Sequence, residues 1–398
     1  MVRARTLPLL GVALALAALP LALPQGYALT LATRTAVLVV FVLSYHLLYG
    51  RTGLLSFGHA LYFGAGAFCA AHALNAWGER LPVTLLPLVG GAGGALVAAL
   101  PGWVNARRGG LAFAMISLGL AELALAAAPM LPALFGGEAG IATNRVTGNG
   151  VAGIDYASGE EVYELVLAWT LVSAGAMAVL ARTPLGCLAL AVRDNAERAS
   201  FLGADPRAVR WRMLILAGFF AGVAGALSTI QYEVATAETL GRMQSAAPLV
   251  ATVIGGAQSF GGAIAGAVIY ELAAGGLSSL TPAWPFYLGC MFVLVILFAP
   301  HGLAGLWKKG PRTLPGNAAL LAGVLIAVGG LVVVVELAYL RSGGAQSSTI
   351  AAWLGLTGRE HSMIAWSLGL LTLAGGIALC RLASALGRAA FMLAPEST

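Results

Sequence analysis

The sequence predicts an all-α polytopic membrane protein of about 10–11 transmembrane or re-entrant helices, and three observations carry that prediction. Of 398 residues, 59% are hydrophobic and only 10% charged, against the roughly 25% charged of a soluble domain. The apolar residues gather into successive runs of the length a hydrocarbon core of about 30 Å requires. The interiors of those runs are Leu, Ala, Val and Gly, without the ten-residue alternation that marks a transmembrane β-barrel.

The first run, 7–24, follows Arg3 and Arg5 and has two readings, an uncleaved helix or the n- and h-regions of a signal peptide. The absence of a clear A-x-A site and the immediate start of another span favour the helix. Further spans are expected at 29–49, 53–74, 81–104, 110–132, 163–181, 212–231, 246–274, 283–299, 317–340 and 362–380. The basic loops carry Arg51, Arg107 and Arg108, the dense set from Arg182 to Arg212, and Lys308, Lys309 and Arg312, which mark the cytoplasmic side. Loops 135–162 and 232–245 hold Glu138, Asp155, Glu160, Glu161, Glu233 and Glu238 against Arg145 and Arg242, and are expected outside.

Crossing parity then fails at 246–274, because a single passage would leave Lys308 and Lys309 on the wrong face. Glycines at 255, 256, 261, 262 and 266 suggest a helix that enters, breaks near Gln258-Ser259 and returns. One long tilted helix that violates the charge rule is the other reading. Ser-Phe-Gly occurs twice, at 56–58 and 259–261, in a setting compatible with an inverted-topology repeat.

The stretch 182–212, "RTPLGCLALAVRDNAERASFLGADPRAVRWR", is the one sizeable amphipathic element. Leu185, Leu188, Val192, Ala196 and Ala199 fall at helical spacing, with Arg193, Asp194, Glu197 and Arg198 opposite them. Thr183-Pro184 supplies a start signal, Gly203 a stop, and Asp205-Pro206 the start of a helix that runs into the next span. A docking element and a solvated, topology-setting loop both fit this pattern.

Glu122 lies about midway in its span, where a carboxylate costs roughly 2.5–3.5 kcal/mol unless paired or hydrated. It either lines a solute path or bonds to a neighbouring helix. Ser56 and His59 sit inside a glycine-rich apolar run, and Gln258 and Ser259 at the expected break; these four join Glu122 as pathway candidates. Cys69, Cys187, Cys290 and Cys380 are scattered, so neither a metal site nor a disulfide framework is expected, and no cofactor is implied. The net charge of +6 is spread over loops, which argues for topology and not nucleic acid. With lysines only at 308 and 309 there is no phosphate-binding loop, and no H-E-x-x-H or G-x-S-x-G motif suggests an enzyme. An ion-coupled secondary transporter is the main rival. It would draw on Glu122, Glu271 and Glu336 as intramembrane carboxylates.

Taken in order, "GLLSFGHALYFGAGAFCAA", "ISLGLAELALA" with "LFGGEAGI", the 182–210 loop, "FFAGVAGAL", "VIGGAQSFGGAIAGAVI" and "FAPHGLAGLW" resemble the permease subunits of branched-chain amino acid ABC importers, of the LivM type within the LivH/LivM group. The resemblance spans about residues 30–307. It implies a pore-forming, non-enzymatic subunit of a bacterial inner membrane. Its partners would be a sister permease in a heterodimer, two cytoplasmic ABC ATPases and an extracytoplasmic substrate-binding protein. The solute would be a branched-chain amino acid, urea or a short amide, or an aromatic acid. Arg193, Asp194, Glu197, Arg198 and Gly203 match the family's cytoplasmic coupling region. Two departures stand out: Phe57 occupies a position often held by leucine, and about 90 further residues follow the family-like part. Residues 1–310 are therefore expected to form the permease domain, and 311–398 an extension with two extra helices.

Overall fold

The computed structural model describes residues 26–78, 80–147, 156–278, 280–298, 302, 329–341, 366–376 and 378. The expected first helix at 7–24, together with Asp155, Lys308, Lys309 and Arg312, lies outside them.

Among the described residues, five helices are long and apolar enough to cross a membrane: Tyr27–Thr52, Val83–Asn105, Gly110–Ala127, Gly159–Leu180 and Pro206–Tyr232. In chain order the α-helices are α1 (Tyr27–Thr52), α2 (Ala60–Trp77), α3 (Leu86–Asn105), α4 (Gly110–Ala127), the short α5 (Pro132–Phe135), α6 (Gly159–Leu180), α7 (Pro184–Asp194), α8 (Ala196–Phe201), α9 (Pro206–Tyr232), α10 (Arg242–Gly255), α11 (Phe260–Glu271) and α12 (Trp284–Phe298). A two-residue ribbon pairs β1 (Ile141–Ala142) antiparallel with β2 (Val234–Ala235).

Contacts between helices of the first unit fix their relative directions. Gln231 of α9 reaches the Thr30 carbonyl near the start of α1, so those two long helices are antiparallel. His46 faces Phe260 while Arg34 pairs with Glu271, so α11 is also antiparallel to α1. The basic loops converge on one end of the bundle: Arg193 bonds the Gly50 carbonyl at the foot of α1, and the Arg207 guanidinium lies 3.8 Å over the Trp103 ring at the foot of α3. Glu160, Glu161 and Glu233 collect at the other end. By the charge rule the basic end is assigned to the cytoplasm and the acidic end to the outside.

Helices in lipid gain little from burying apolar area against one another, so close packing of small residues decides which of them touch. Gly222 on α9 sits where α2 and α3 both cross it. A methyl group there would overlap the Gly90 carbonyl, and one on Gly66 would overlap the Gly222 backbone. The same small-residue logic joins α10 to α11, where Gly255 meets Gly262 and Gly266.

Several expectations are corrected. The span expected at 53–74 begins only at Ala60, because 53–59 is irregular. The run 246–274 is two antiparallel helices broken at Gly256–Ser259, the enter-and-return reading, so the single tilted helix is excluded. The two Ser-Phe-Gly elements are not inverted copies, since each precedes a helix antiparallel to α1. The one amphipathic helix expected between Thr183-Pro184 and Gly203 is really α7 and α8, divided at Asn195, whose side chain caps α8 by accepting from the Arg198 amide at 2.8 Å. Leu188 is exposed, and Gly186, Ala189 and Val192 form the buried face instead.

The chain forms two compact units, one of 1–272 with 294–305 and the other of 273–293 with 306–398. Within the second, Glu336 is fully buried and one of its oxygens accepts from the Thr281 and Tyr287 hydroxyls, both at 2.8 Å. Gly369 of the helical segment 366–376 packs on Val333 and Val334 of the segment 329–341.

Candidate functional site

Two irregular segments enter the bundle from opposite ends, and each finishes at the N-terminus of a half-helix. At the cytoplasmic end α1 stops at Gly53 in the left-handed region, φ 71°, whose amide bonds the Tyr49 carbonyl. The chain then turns back alongside α1 to His59, whose Nε2 lies 2.9 Å from Ser44 Oγ. Ser44 is eight residues before Thr52, so α2 begins about 12 Å above the foot of α1, well inside the hydrocarbon.

Backbone at that depth must find partners within the protein. The Phe57 amide donates to Ser117 Oγ at 3.1 Å, and the Ala60 amide, the first of α2, donates to Ser245 Oγ at 3.0 Å. Ser117 spends its own proton on the Ala114 carbonyl at 2.7 Å, which leaves the oxygen free to accept. Ser44 likewise donates to the Phe41 carbonyl at 2.7 Å. It therefore accepts from His59, which places a proton on Nε2. Phe41 stacks on that ring, and Tyr45 and Tyr62 meet it edge-on.

At the outer end α9 stops at Glu233, also left-handed with φ 55°, whose amide bonds the Thr229 carbonyl. The chain pairs briefly as β2 and descends past α2, with Thr239 and Leu240 against Gly64. It then enters α10, where Ser245 receives the Ala60 amide. The N-termini of α2 and α10 thus meet inside the bundle. There Arg242, the first residue of α10, pairs with Glu122 of α4 at 3.1 Å, with both side chains substantially exposed.

The structure distributes the expected pathway residues over three places. Ser56 and His59 are fully buried beside the start of α2. Glu122 lies on the open side of that junction. Gln258 and Ser259 sit at the other break, near the foot of α1; Ser259 caps α11 by accepting from the Gly262 amide at 3.2 Å, and Gln258 is exposed.

Of the expected coupling residues, Asp194, Glu197 and Arg198 are exposed, and Gly203 has φ 88° with open space around it. Arg193 instead turns inward, with Nη1 2.6 Å from the Gly50 carbonyl. Sequence reasoning missed Phe201 and Leu202, which are 83% and 80% exposed at the tip of the loop. Two apolar residues at the polar end of an amphipathic helix, directly before a glycine, were the available signal. It also missed Ser117, Ser245 and Arg242, whose roles come from contacts remote in sequence.

Comparison with known proteins follows the same outline. Residues 27–300 match the family model described as branched-chain amino acid transport system / permease component. The chain is similar to the high-affinity branched-chain amino acid transport system permease protein LivM of Salmonella typhimurium, 25% identical over 319 residues, covering 72% of this chain and 72% of the relative. It is likewise similar to LivM of Escherichia coli, 25% identical over 303 residues and 69% of each chain. No solved structure matches. The family match takes in α1 through α12 with both half-helices: this multi-pass membrane chain belongs to the permease components of branched-chain amino acid transport systems.

Proposed function

We propose that the chain is the pore-forming subunit of an ATP-binding-cassette importer in a bacterial inner membrane, and that it moves branched-chain amino acids or related small polar solutes. The observation that carries this is the junction of α2 and α10. Two half-helices point their N-termini, the positive ends of their dipoles, toward one another at membrane depth, beside an exposed Glu122–Arg242 pair. Charged groups at such depth face water or protein, so Glu122 and Arg242 border the solute path. Ser56 and His59 support that border from behind by fixing the start of α2, and Gln258 and Ser259 shape its cytoplasmic mouth. The loop of α7 and α8 meets the ATPase through the tip at Phe201 and Leu202, flanked by Asp194, Glu197, Arg198 and Gly203. A sister permease, two ATPases and an extracytoplasmic binding protein complete the assembly. Residues 1–310 form the permease domain and 311–398 an accessory extension.

The secondary-transporter reading is disfavoured because the three carboxylates expected to serve it are engaged: Glu122 with Arg242, Glu271 with Arg34 at 2.9 Å, and Glu336 with two hydroxyls. Leucine uptake should persist when the proton gradient is collapsed at constant ATP. Uptake into ATP-free vesicles driven by an imposed ion gradient alone would overturn the proposal.

A further inference from the structure

The two re-entries share a construction that neither sequence motif reveals. Each follows a long helix that ends in a left-handed residue, Gly53 after α1 and Glu233 after α9, whose amide closes on the carbonyl four residues earlier. In each, the carbonyl three residues before that cap is taken by an arginine from a remote loop. Arg193 Nη1 donates to Gly50 O at 2.6 Å, and Arg145 Nη1 donates to Ile230 O at 3.1 Å. Arg193 belongs to the cytoplasmic loop and Arg145 to the outer one.

The surroundings show what each arginine holds. The Arg193 stem lies against Gly53, where any Cβ would meet its Cγ at 2.9 Å, and its remaining nitrogens engage Asp194 at 3.0 and 3.1 Å. Gly50 in turn abuts the Ala257 carbonyl at the break between α10 and α11. On the outer side, Arg145 Nε donates to the Tyr156 carbonyl at 2.7 Å, Nη1 also reaches Gln231 O at 3.2 Å, and the Arg145 amide donates to Glu233 at 3.1 Å. Tyr156, φ 52°, and Glu233 are the two non-glycine residues with positive φ among the described residues, and one guanidinium bridges their neighbourhoods.

The packing has the same inverted relation. α2 lies on α9 as α10 lies on α1, and α3 lies on α9 as α11 lies on α1. The repeat therefore aligns α1–α2–α3 with α9–α10–α11, and the counterpart of segment 53–59 is 233–241.

We propose that Arg193 and Arg145 are paired positioning residues. Each ties a loop that faces one compartment to the hinge of one re-entry, so that displacement of the loop is delivered to the N-terminus of α2 or α10. This rests on the permease reading. A fixed positive charge fits the task because it neutralises the negative end of a helix dipole, and at Arg145 the guanidinium also holds three carbonyls at fixed angles.

The test uses the full transporter in membranes, with all cysteines replaced and one reporter cysteine added, either Leu55→Cys in the inner segment or Thr239→Cys in the outer one. Labelling is measured with a membrane-impermeant maleimide from each side. Arg193→Gln should raise labelling at 55 severalfold from the cytoplasmic side and leave 239 unchanged, and Arg145→Gln should do the reverse from outside. Arg193→Lys should behave as unsubstituted, because one donor to Gly50 suffices. Arg145→Lys should behave as Arg145→Gln, because its contacts need separate nitrogens. Equal exposure of both reporters by either glutamine variant, or no change at all, would overturn the proposal. If a glutamine variant fails to insert, the reporters in the unsubstituted background decide: trapping with ATP and vanadate should move them in opposite senses, and movement in the same sense or none rejects the paired hinges. Failure of the unsubstituted transporter to take up any branched-chain amino acid or related small polar solute with ATP would strike the proposed importer function instead, since labelling does not depend on the solute.

Discussion

Gly222 and Gly175 show how the same residue type can be indispensable or incidental. Gly222 lies under two helices, and a methyl there meets backbone, which cannot rotate away. Gly222→Ala should cost about 1–3 kcal/mol through overpacking, read as a lowered midpoint of thermal unfolding in detergent. Gly175 on α6 has nothing within 4 Å of where its Cβ would stand, so Gly175→Ala should be neutral or gain up to about 1 kcal/mol from helix propensity. Equal effects of the two would contradict the packing described. Ser245→Ala belongs to the same scale: it strips the acceptor from the buried Ala60 amide, and an orphaned donor costs about 1–3 kcal/mol. None of this was legible in sequence. Ser245 and Ala60 are 185 residues apart, and Gly222 is one of 53 glycines.

The loop of α7 and α8 is the element whose local chemistry was most readable. Thr183 accepts from the Gly186 amide and Asp205 from the Arg207 amide, as the capping signals require. Gly203 adopts φ 88° with no side chain near it, so only its backbone conformation restrains it. Gly203→Val should therefore insert and pair with the sister permease, lose on the order of 1 kcal/mol locally, and fail to stimulate the ATPase. Normal stimulation by that variant would show the loop to be a topological connector. Cysteines at Glu197 should crosslink to the ATPase, whereas one at Arg193 should not, because Arg193 faces the foot of α1. Periodicity placed Arg193 on the outer face; the competing cause was an unfilled helix-end carbonyl within its reach.

At the scale of the whole molecule, truncation after Lys309 should leave assembly and uptake largely intact, because the half-helices and both loop arginines precede it. Glu336 then has a role confined to the second unit, where it accepts from Thr281 and Tyr287. Glu336→Gln keeps an acceptor oxygen and should preserve the extension's resistance to protease, and Glu336→Leu should lose it. Abolished uptake by a well-expressed truncated chain would place the extra helices in the path.

By itself the sequence determined the helical class, the gathering of basic loops at one end of the bundle and acidic loops at the other, and the break at 256–259, because composition, charge and glycine placement act locally and need no knowledge of neighbours. It also carried enough ordered motifs to resemble the right family. Only the tertiary structure decided that 53–59 is not helical, which helices repeat one another, and that Glu122 is paired with Arg242. Those outcomes depend on which groups meet at membrane depth, where a buried backbone donor or acceptor has no water to substitute for a missing partner. The pairing of a backbone group there is set by helices that arrive from far along the chain.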